Sequence, residues 1–156
     1  MTQTAVALSQ DAQAAIADAL NQSVAETTVT TMMAQNFHWN VTGMAFGPLH
    51  QLFQDIYEDH FQAQDDLAER IKAIDAHAEG TLAGMLKRSK VTEHDGHADA
   101  KTMIETMKVA QETLAATLAG CGELAAEHGD TLTEDLCIAR GQTHEKFAWF
   151  LRAHLR

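Results

Sequence analysis

The sequence predicts an all-α protein: a four-helix bundle with a short extra helix in the connection between helices two and three. Three observations predict it. Only one proline, Pro48, occurs in 156 residues. Long segments rich in Ala, Leu, Gln, Glu and Met repeat their apolar residues with a helical period. Glycine-bearing breaks interrupt that pattern at a few places, each a natural helix boundary.

The first helix is predicted from about Ser9 to Val41, with Ile16, Leu20, Val24, Thr28, Thr31, Gln35 and His38 along one line. Thr42-Gly43 ends it. Gly47-Pro48 opens the second helix, with proline near its favoured first-turn position. That helix continues to about Ala78, with Gly80 beyond its end. Thr81 to Ser89 reads as the short helix, and the polar loop His94-Asp95-Gly96-His97 follows it. The third long helix runs from about Ala98 to His128, with Met103, Met107, Leu114, Leu118, Cys121 and Ala125 as its apolar line. Gly129 stops it. Thr131-x-x-Glu134 fits a capping box that starts the fourth long helix, which carries Leu136, Thr143, Phe147, Phe150 and Leu151. The crossover after the second helix is the one connection that departs from an up-and-down path.

Composition removes several classes of function. Apolar residues make up 46% of the chain, yet no run approaches the length of a membrane span. The opening MTQTAVALSQDAQ has neither a basic n-region nor a long apolar h-region, so the chain is read as unexported and cytoplasmic. Cys121 and Cys137 fall inside helical patterns without metal-type spacing. They are expected to be buried small hydrophobes in a reducing compartment, with no disulfide framework. The net charge is −11, and no Lys or Arg precedes Arg70, while that stretch holds six Asp and three Glu. Non-specific nucleic-acid binding needs cations along the phosphates. An acidic surface concentrates cations instead, so nucleic acid is not expected as a partner.

The second helix carries the residues with chemistry. With His50 as zero and about 100° per residue, Leu49, Phe53, Leu67, Ile71 and Ile74 fall between about −60° and −120°, the core stripe. Gln54, Tyr57, Phe61 and Asp65 fall between roughly −20° and +60°, and Glu69 near about +100°. Asp65 and Glu69 thus project together, away from the core. A solvated acidic face is one reading. Tyr57 and Phe61 share that face, however, and a row of exposed aromatics needs a cover. Like charges one turn apart also repel by a few tenths of a kcal/mol. A metal held between two copies of the helix accounts for both. His38, just upstream, adds a second imidazole to His50, and a set of two imidazoles and two carboxylates suits a redox-active divalent metal such as iron.

The run Phe-His-Trp-Asn-Val-Thr-Gly (37–43), Leu-His (49–50), Asp65 and Leu-Ala-Glu-Arg-Ile (67–71) resembles the Dps family of mini-ferritins. The closing segment resembles it too, from Gly129-Asp130 through Asp135-Leu136 to His144-Glu145-Lys146 and Ala148-Trp149-Phe150. The resemblance implies one ferritin-like domain over residues 9–156 after a flexible tail at 1–8, assembling as a hollow dodecamer. It implies ferroxidase centres at two-fold interfaces, where His38 and His50 of one subunit and Asp65 and Glu69 of its neighbour bind iron. Such proteins oxidise Fe(II), usually with hydrogen peroxide in preference to oxygen, and store the ferric product. Trp39, beside a ligand, is either an acceptor of stray oxidising equivalents or an interface residue. Asp130 and Asp135 match the acidic entry pores at the start of the last helix, though carboxylates there are also ordinary caps.

Two departures from the family are visible. Gln54 stands where an Asp or Glu often follows the histidine, which weakens or empties the second iron position. The Lys-rich tail associated with DNA compaction is missing. Other readings are a passive shell that sequesters metal or protects DNA without fast oxidation, and a second metal site at His94 and His97. No Glu-x-x-His occurs in the chain, which counts against an ordinary ferritin or bacterioferritin. His60 lies on the core stripe and is expected to be a hydrogen-bonded interior histidine. His77, His128, His144 and His154 are read as structural.

Overall fold

The computed structural model describes residues 7–156. It contains five helices: α1 (Gln10–Asn40), α2 (Phe46–Ala73), α3 (Leu82–Arg88), α4 (Ala100–Glu127) and α5 (Thr131–Ala153). No strand occurs among the described residues. The four long helices form two antiparallel hairpins, α1/α2 and α4/α5, packed face to face. α2 and α4 run parallel, so the connection between them returns along the whole bundle, with α3 lying against α1. The four-helix bundle with a short helix in its long crossover is therefore the observed architecture. Most of the tail expected at 1–8 lies outside the described residues; Leu8 packs against the core.

Helix ends follow local chemistry, and two differ from the sequence reading. Ser9 caps α1, its Oγ accepting the Ala12 N–H at 3.2 Å. α2 was expected to reach about Ala78 but ends at Ala73. Asp75 takes the left-handed conformation at φ 62°. The Asp75 and Ala76 N–H groups then turn back to the carbonyls of Lys72 and Ile71, closing a Schellman motif. Gly80 is therefore loop, and an aspartate is the stop. α4 ends in the same motif around Gly129 at φ 72°, as expected. The cap of α5 is Asp130, not a box starting at Thr131: its Oδ1 accepts the Thr133 N–H at 3.2 Å.

The core has two apolar ends. One contains Ile16, Leu20 and Val24 of α1 with Leu67, Ile71, Leu118, Cys121 and Cys137. The other contains Met33, Phe37, Leu49, Phe53, Ile56, Met103, Met107 and Leu151. Burying each large aliphatic or aromatic side chain contributes about 1.5–3 kcal/mol. The expected line on α1 holds through Val24, then drifts: Met33, Ala34 and Phe37 carry the second half, while Gln35 and His38 are half-buried. On α5 the buried face is Thr133, Cys137, His144, Ala148 and Leu151, so Leu136 and Thr143 sit beside it.

A polar layer lies between the two ends. His60, fully buried, donates from Nδ1 to Asp59 Oδ2 at 3.0 Å and accepts at Nε2 from Gln111 Nε2 at 3.0 Å. Gln111 Oε1 accepts from His144 Nδ1 at 2.8 Å, and His144 Nε2 accepts from Arg140 Nη2 at 3.3 Å. Arg140 closes the ring on Asp59 with contacts of 3.1 and 2.7 Å. Each of these contacts pairs a donor with an acceptor only if both imidazoles are neutral. His144 was read as structural, and it is a full member of this network.

Burial depresses both imidazoles below their ordinary value of 6.5. For Asp59, burial acts upward, but hydrogen bonds from His60 and Arg140 and the guanidinium charge hold it well below the usual carboxylate range. The unfolded chain therefore takes up protons first as pH falls. The stability contributed by the histidines is complete above about pH 6.5 and declines below it. Asp59 adds a second loss below about pH 4. Thermal unfolding is expected to shift down between about pH 6.5 and 5. A His60→Asn, His144→Asn double variant, less stable at neutral pH, is expected to show a flatter profile over that window in a calorimetric pH series.

Candidate metal centre

The connection at 41–45 folds the end of α1 back on the start of α2, which brings His38 and His50 together. Their rings stack with centroids 3.7 Å apart and an interplanar angle of 18°. Each holds the other's backbone: His38 Nδ1 donates to the His50 carbonyl at 2.7 Å, and His50 Nδ1 to the His38 carbonyl at 2.8 Å. A carbonyl only accepts, so both protons sit on Nδ1 and both Nε2 lone pairs are left for a metal. The Phe46 ring stacks on His50 at 5.1 Å, and Tyr57 meets His38 edge-on at 5.3 Å. Both imidazoles are half-buried.

Asp65 and Glu69 lie one turn apart on the exposed face of α2. Their neighbours are paired: Asp66 with Gln62, and Arg70 with Asp130 and Thr133. Asp65 and Glu69 themselves have no such partner among the described residues. The rise of a helix puts Asp65 about 22 Å along the axis from His50. Among the described residues, no three His, Cys, Asp or Glu side chains meet as a metal site. One protomer therefore keeps the four candidate ligands in two separate pairs, the imidazoles near the start of α2 and the carboxylates toward its end.

Large apolar side chains flank both. Trp39 is 62% exposed, Phe46 46% and Phe61 69%, and Met44 is fully exposed. Phe61 is thus uncovered as the sequence suggested, whereas Tyr57 is half-buried against the core. Gln54 donates from Nε2 to Glu58 Oε1 at 2.8 Å. Glu58 was not singled out from the sequence, although its helical angle places it on the face of Asp65 and Glu69; Gln54 positions this exposed carboxylate.

The remaining candidates are placed as follows. Asp130 is buried, caps α5 and accepts from Arg70 Nη2 at 2.8 Å; Asp135 is exposed. His94 Nδ1 accepts the Gly96 N–H at 3.0 Å and its ring lies edge-on to Phe37, while His97 is exposed. The two form no metal-binding group with a third ligand. Gly96 is required there, because a Cβ would collide with the Asn36 side chain at 2.3 Å.

Each ring is oriented by the other residue's backbone carbonyl, which truncation to alanine leaves in place. The remaining imidazole therefore stays oriented in each single variant, and the Co(II) affinity losses of His38→Ala and His50→Ala are expected to add in the double variant to within about threefold. Calorimetric titration of the three variants checks this, and a double variant no weaker than either single one would contradict it.

The ferritin-like domain family matches residues 17–156. The chain is 34% identical over 137 residues to general stress protein 20U of Bacillus subtilis, covering 88% of this chain and 94% of that protein. It is 33% identical over 140 residues to DNA protection during starvation protein 2 of Bacillus anthracis, covering 90% and 96%. Among solved structures, the Dps protein of Vibrio cholerae O1, described as a member of a broad superfamily of ferritin-like diiron-carboxylate proteins, superposes with a TM-score of 0.90 at 30% identity, covering 99% of this chain and 100% of that one.

Proposed function

The chain belongs to the Dps family of ferritin-like proteins, and from that premise we propose that it is an iron-oxidising and iron-storing mini-ferritin. Two antiparallel copies of α2 related by a two-fold axis set the His38–His50 pair of one against Asp65 and Glu69 of the other. Each such interface carries two centres, and twelve copies close a shell. The observation that carries this reading is the division of the ligand set into two separated pairs, the imidazole pair preorganised and neither pair sufficient alone.

Fe(II) is the substrate. The carboxylates neutralise its charge and the neutral imidazoles complete a mixed nitrogen and oxygen set with positions left for an oxidant. Peroxide takes two electrons, one from each of two Fe(II) ions, which limits release of hydroxyl radical, and the ferric product is stored inside the shell. Gln54 and its partner Glu58 lie on the same outer face, and the amide makes the second iron position weaker than a carboxylate would. Trp39, exposed beside His38, is positioned to take up a stray oxidising equivalent or to fill the interface. The exposed Asp135 draws cations toward the entry pore, while Asp130 fixes the helix start that presents it.

The reading places the protein in the cytoplasm, where it protects cell components through iron and peroxide chemistry. Direct DNA binding is not part of it, because the first 69 residues hold nine carboxylates and no Lys or Arg. A passive metal-sequestering or DNA-protecting shell is the second reading, and Gln54 is the residue that favours it.

Stopped-flow ferric absorbance after adding peroxide to Fe(II)-loaded protein separates the two. Asp65→Ala and His38→Ala are each expected to slow oxidation by about 10- to 100-fold, and equal rates in wild type and variants would leave only the container. Co-assembly of a His38→Ala, His50→Ala chain with an Asp65→Ala, Glu69→Ala chain is expected to restore part of the activity, because mixed interfaces contain one complete centre. Failure of that rescue would sink the shared site. At low salt, a mobility-shift titration is expected to show no DNA retention.

A further inference from the structure

Glu26 of α1 is fully buried, and among the described residues it forms no ion pair. Its two carboxylate oxygens are treated differently by the fold. Oε1 accepts from Gln22 Nε2 at 2.6 Å and from the Lys90 backbone N–H at 3.3 Å. Gln22 Nε2 also donates to the Arg88 carbonyl at 2.9 Å. One oxygen therefore latches α1 to the chain that leaves α3, and Lys90 contributes its backbone there, not its ammonium. Oε2 is buried with no hydrogen-bond partner.

A second orphan stands one turn further along α1. Thr30 is fully buried, and its Oγ1 also has no hydrogen-bond partner. Ser23, Thr27, Thr28 and Thr31 of the same helix each return the hydroxyl to the carbonyl four residues back. Thr30 does not, so its hydroxyl is turned away from the Glu26 carbonyl. Residues four apart are neighbours on one helix face, with Cβ atoms about 5–6 Å apart. A carboxylate oxygen and a hydroxyl oxygen thus project from the same side of α1, both sealed from solvent and both unmatched. Lys90, which touches Glu26, also lines an open groove of about 360 Å³ with Met33, Val91 and Glu105. That groove gives a small hydrated ion a way toward the pair.

We propose that Glu26 Oε2 and Thr30 Oγ1 hold one monovalent alkali cation at a buried site between α1 and the crossover. A buried carboxylate without a counter-charge is costly, and the latch on Oε1 keeps Glu26 from swinging out to water. Both free atoms are hard oxygen donors, which suit alkali and alkaline-earth ions over metals that favour nitrogen or sulfur. One carboxylate balances one positive charge, whereas a divalent ion would leave net charge in the same interior. A water molecule would satisfy the hydrogen bonds and supply no charge. The cation completes the latch, because fixing Oε2 also fixes the oxygen that holds Gln22 and Lys90. The site lies on α1, apart from the carboxylate pair on the exposed face of α2.

The test uses the full-length, assembled, iron-free protein, so its outcome is independent of the ferroxidase reading. Thermal unfolding is followed in potassium, rubidium or choline chloride at one fixed ionic strength. The wild type is expected to melt higher in potassium or rubidium than in choline, with a rise that grows with cation concentration as single-site binding requires. Glu26→Gln, close in shape and without the charge, is expected to lose that response. Thr30→Val is expected to keep it at a higher half-saturating concentration. Crystals of the wild type grown in rubidium chloride are expected to show an anomalous peak beside Glu26 Oε2 and Thr30 Oγ1, a readout that holds even where a variant fails to assemble. Melting that is the same in all three salts would overturn the proposal, as would a Glu26→Gln protein with the wild-type response. A rubidium map without a peak beside Glu26 would overturn it as well.

Discussion

The ring of hydrogen bonds through Asp59, His60, Gln111, His144 and Arg140 is the constraint on which the rest of the bundle's geometry depends. It joins α2, α4 and α5 at one level, and each polar atom in its chain of contacts can act in only one sense. Sliding or rotating α2 by one residue would leave buried imidazole and amide groups without partners. Apolar packing tolerates such slips more readily, because contact between aliphatic groups carries little direction. The network therefore sets the rotation of α2, and with it the direction of the opposite face. Asp65 and Glu69 point outward because His60 points inward.

The same rigidity divides the site. A continuous helix of 28 residues cannot bend its carboxylate pair back to its own histidines. Local geometry supplies one half, where the reversal at 41–45 lets two histidines orient each other through backbone carbonyls. The other half is two carboxylates left in water without partners. In the proposed function, chemistry follows from an assembly in which neighbouring copies of one rigid element complete each other. The flanking apolar residues Trp39, Met44, Phe46 and Phe61 have the character of surface awaiting a cover.

The errors in the sequence reading each have a physical origin. Glycine was taken as the stop of α2, but Asp75 accepts the left-handed conformation because hydrogen bonds to Lys72 and Ile71 hold it there. Thr131 looked like a cap because Glu134 follows at the right spacing, while Asp130 gains a second partner in Arg70, 60 positions away in sequence. The apolar line of α1 drifted because a single regular spacing cannot follow a helix that packs against α2 and α4 and, through its N-terminal half, beneath the connection carrying α3. For α5 and α1 a contact distant in sequence outweighed the local signal, whereas at the end of α2 one local signal, the Asp75 turn, outweighed another, Gly80.

Four long helices, a long crossover, the inward position of His60 and the outward position of Asp65 and Glu69 were legible in the amino-acid order. Helical periodicity is a local property, and a polar residue on an apolar stripe announces itself. The resemblance also named all four candidate ligands. Tertiary structure alone decided their geometry: His38 stacked on His50, with each Nδ1 on the other's backbone carbonyl. It alone placed Gln111, His144 and Arg140 around His60. Those relations join side chains on different helices, whose separation depends on packing depth and register, and no spacing along a chain encodes either.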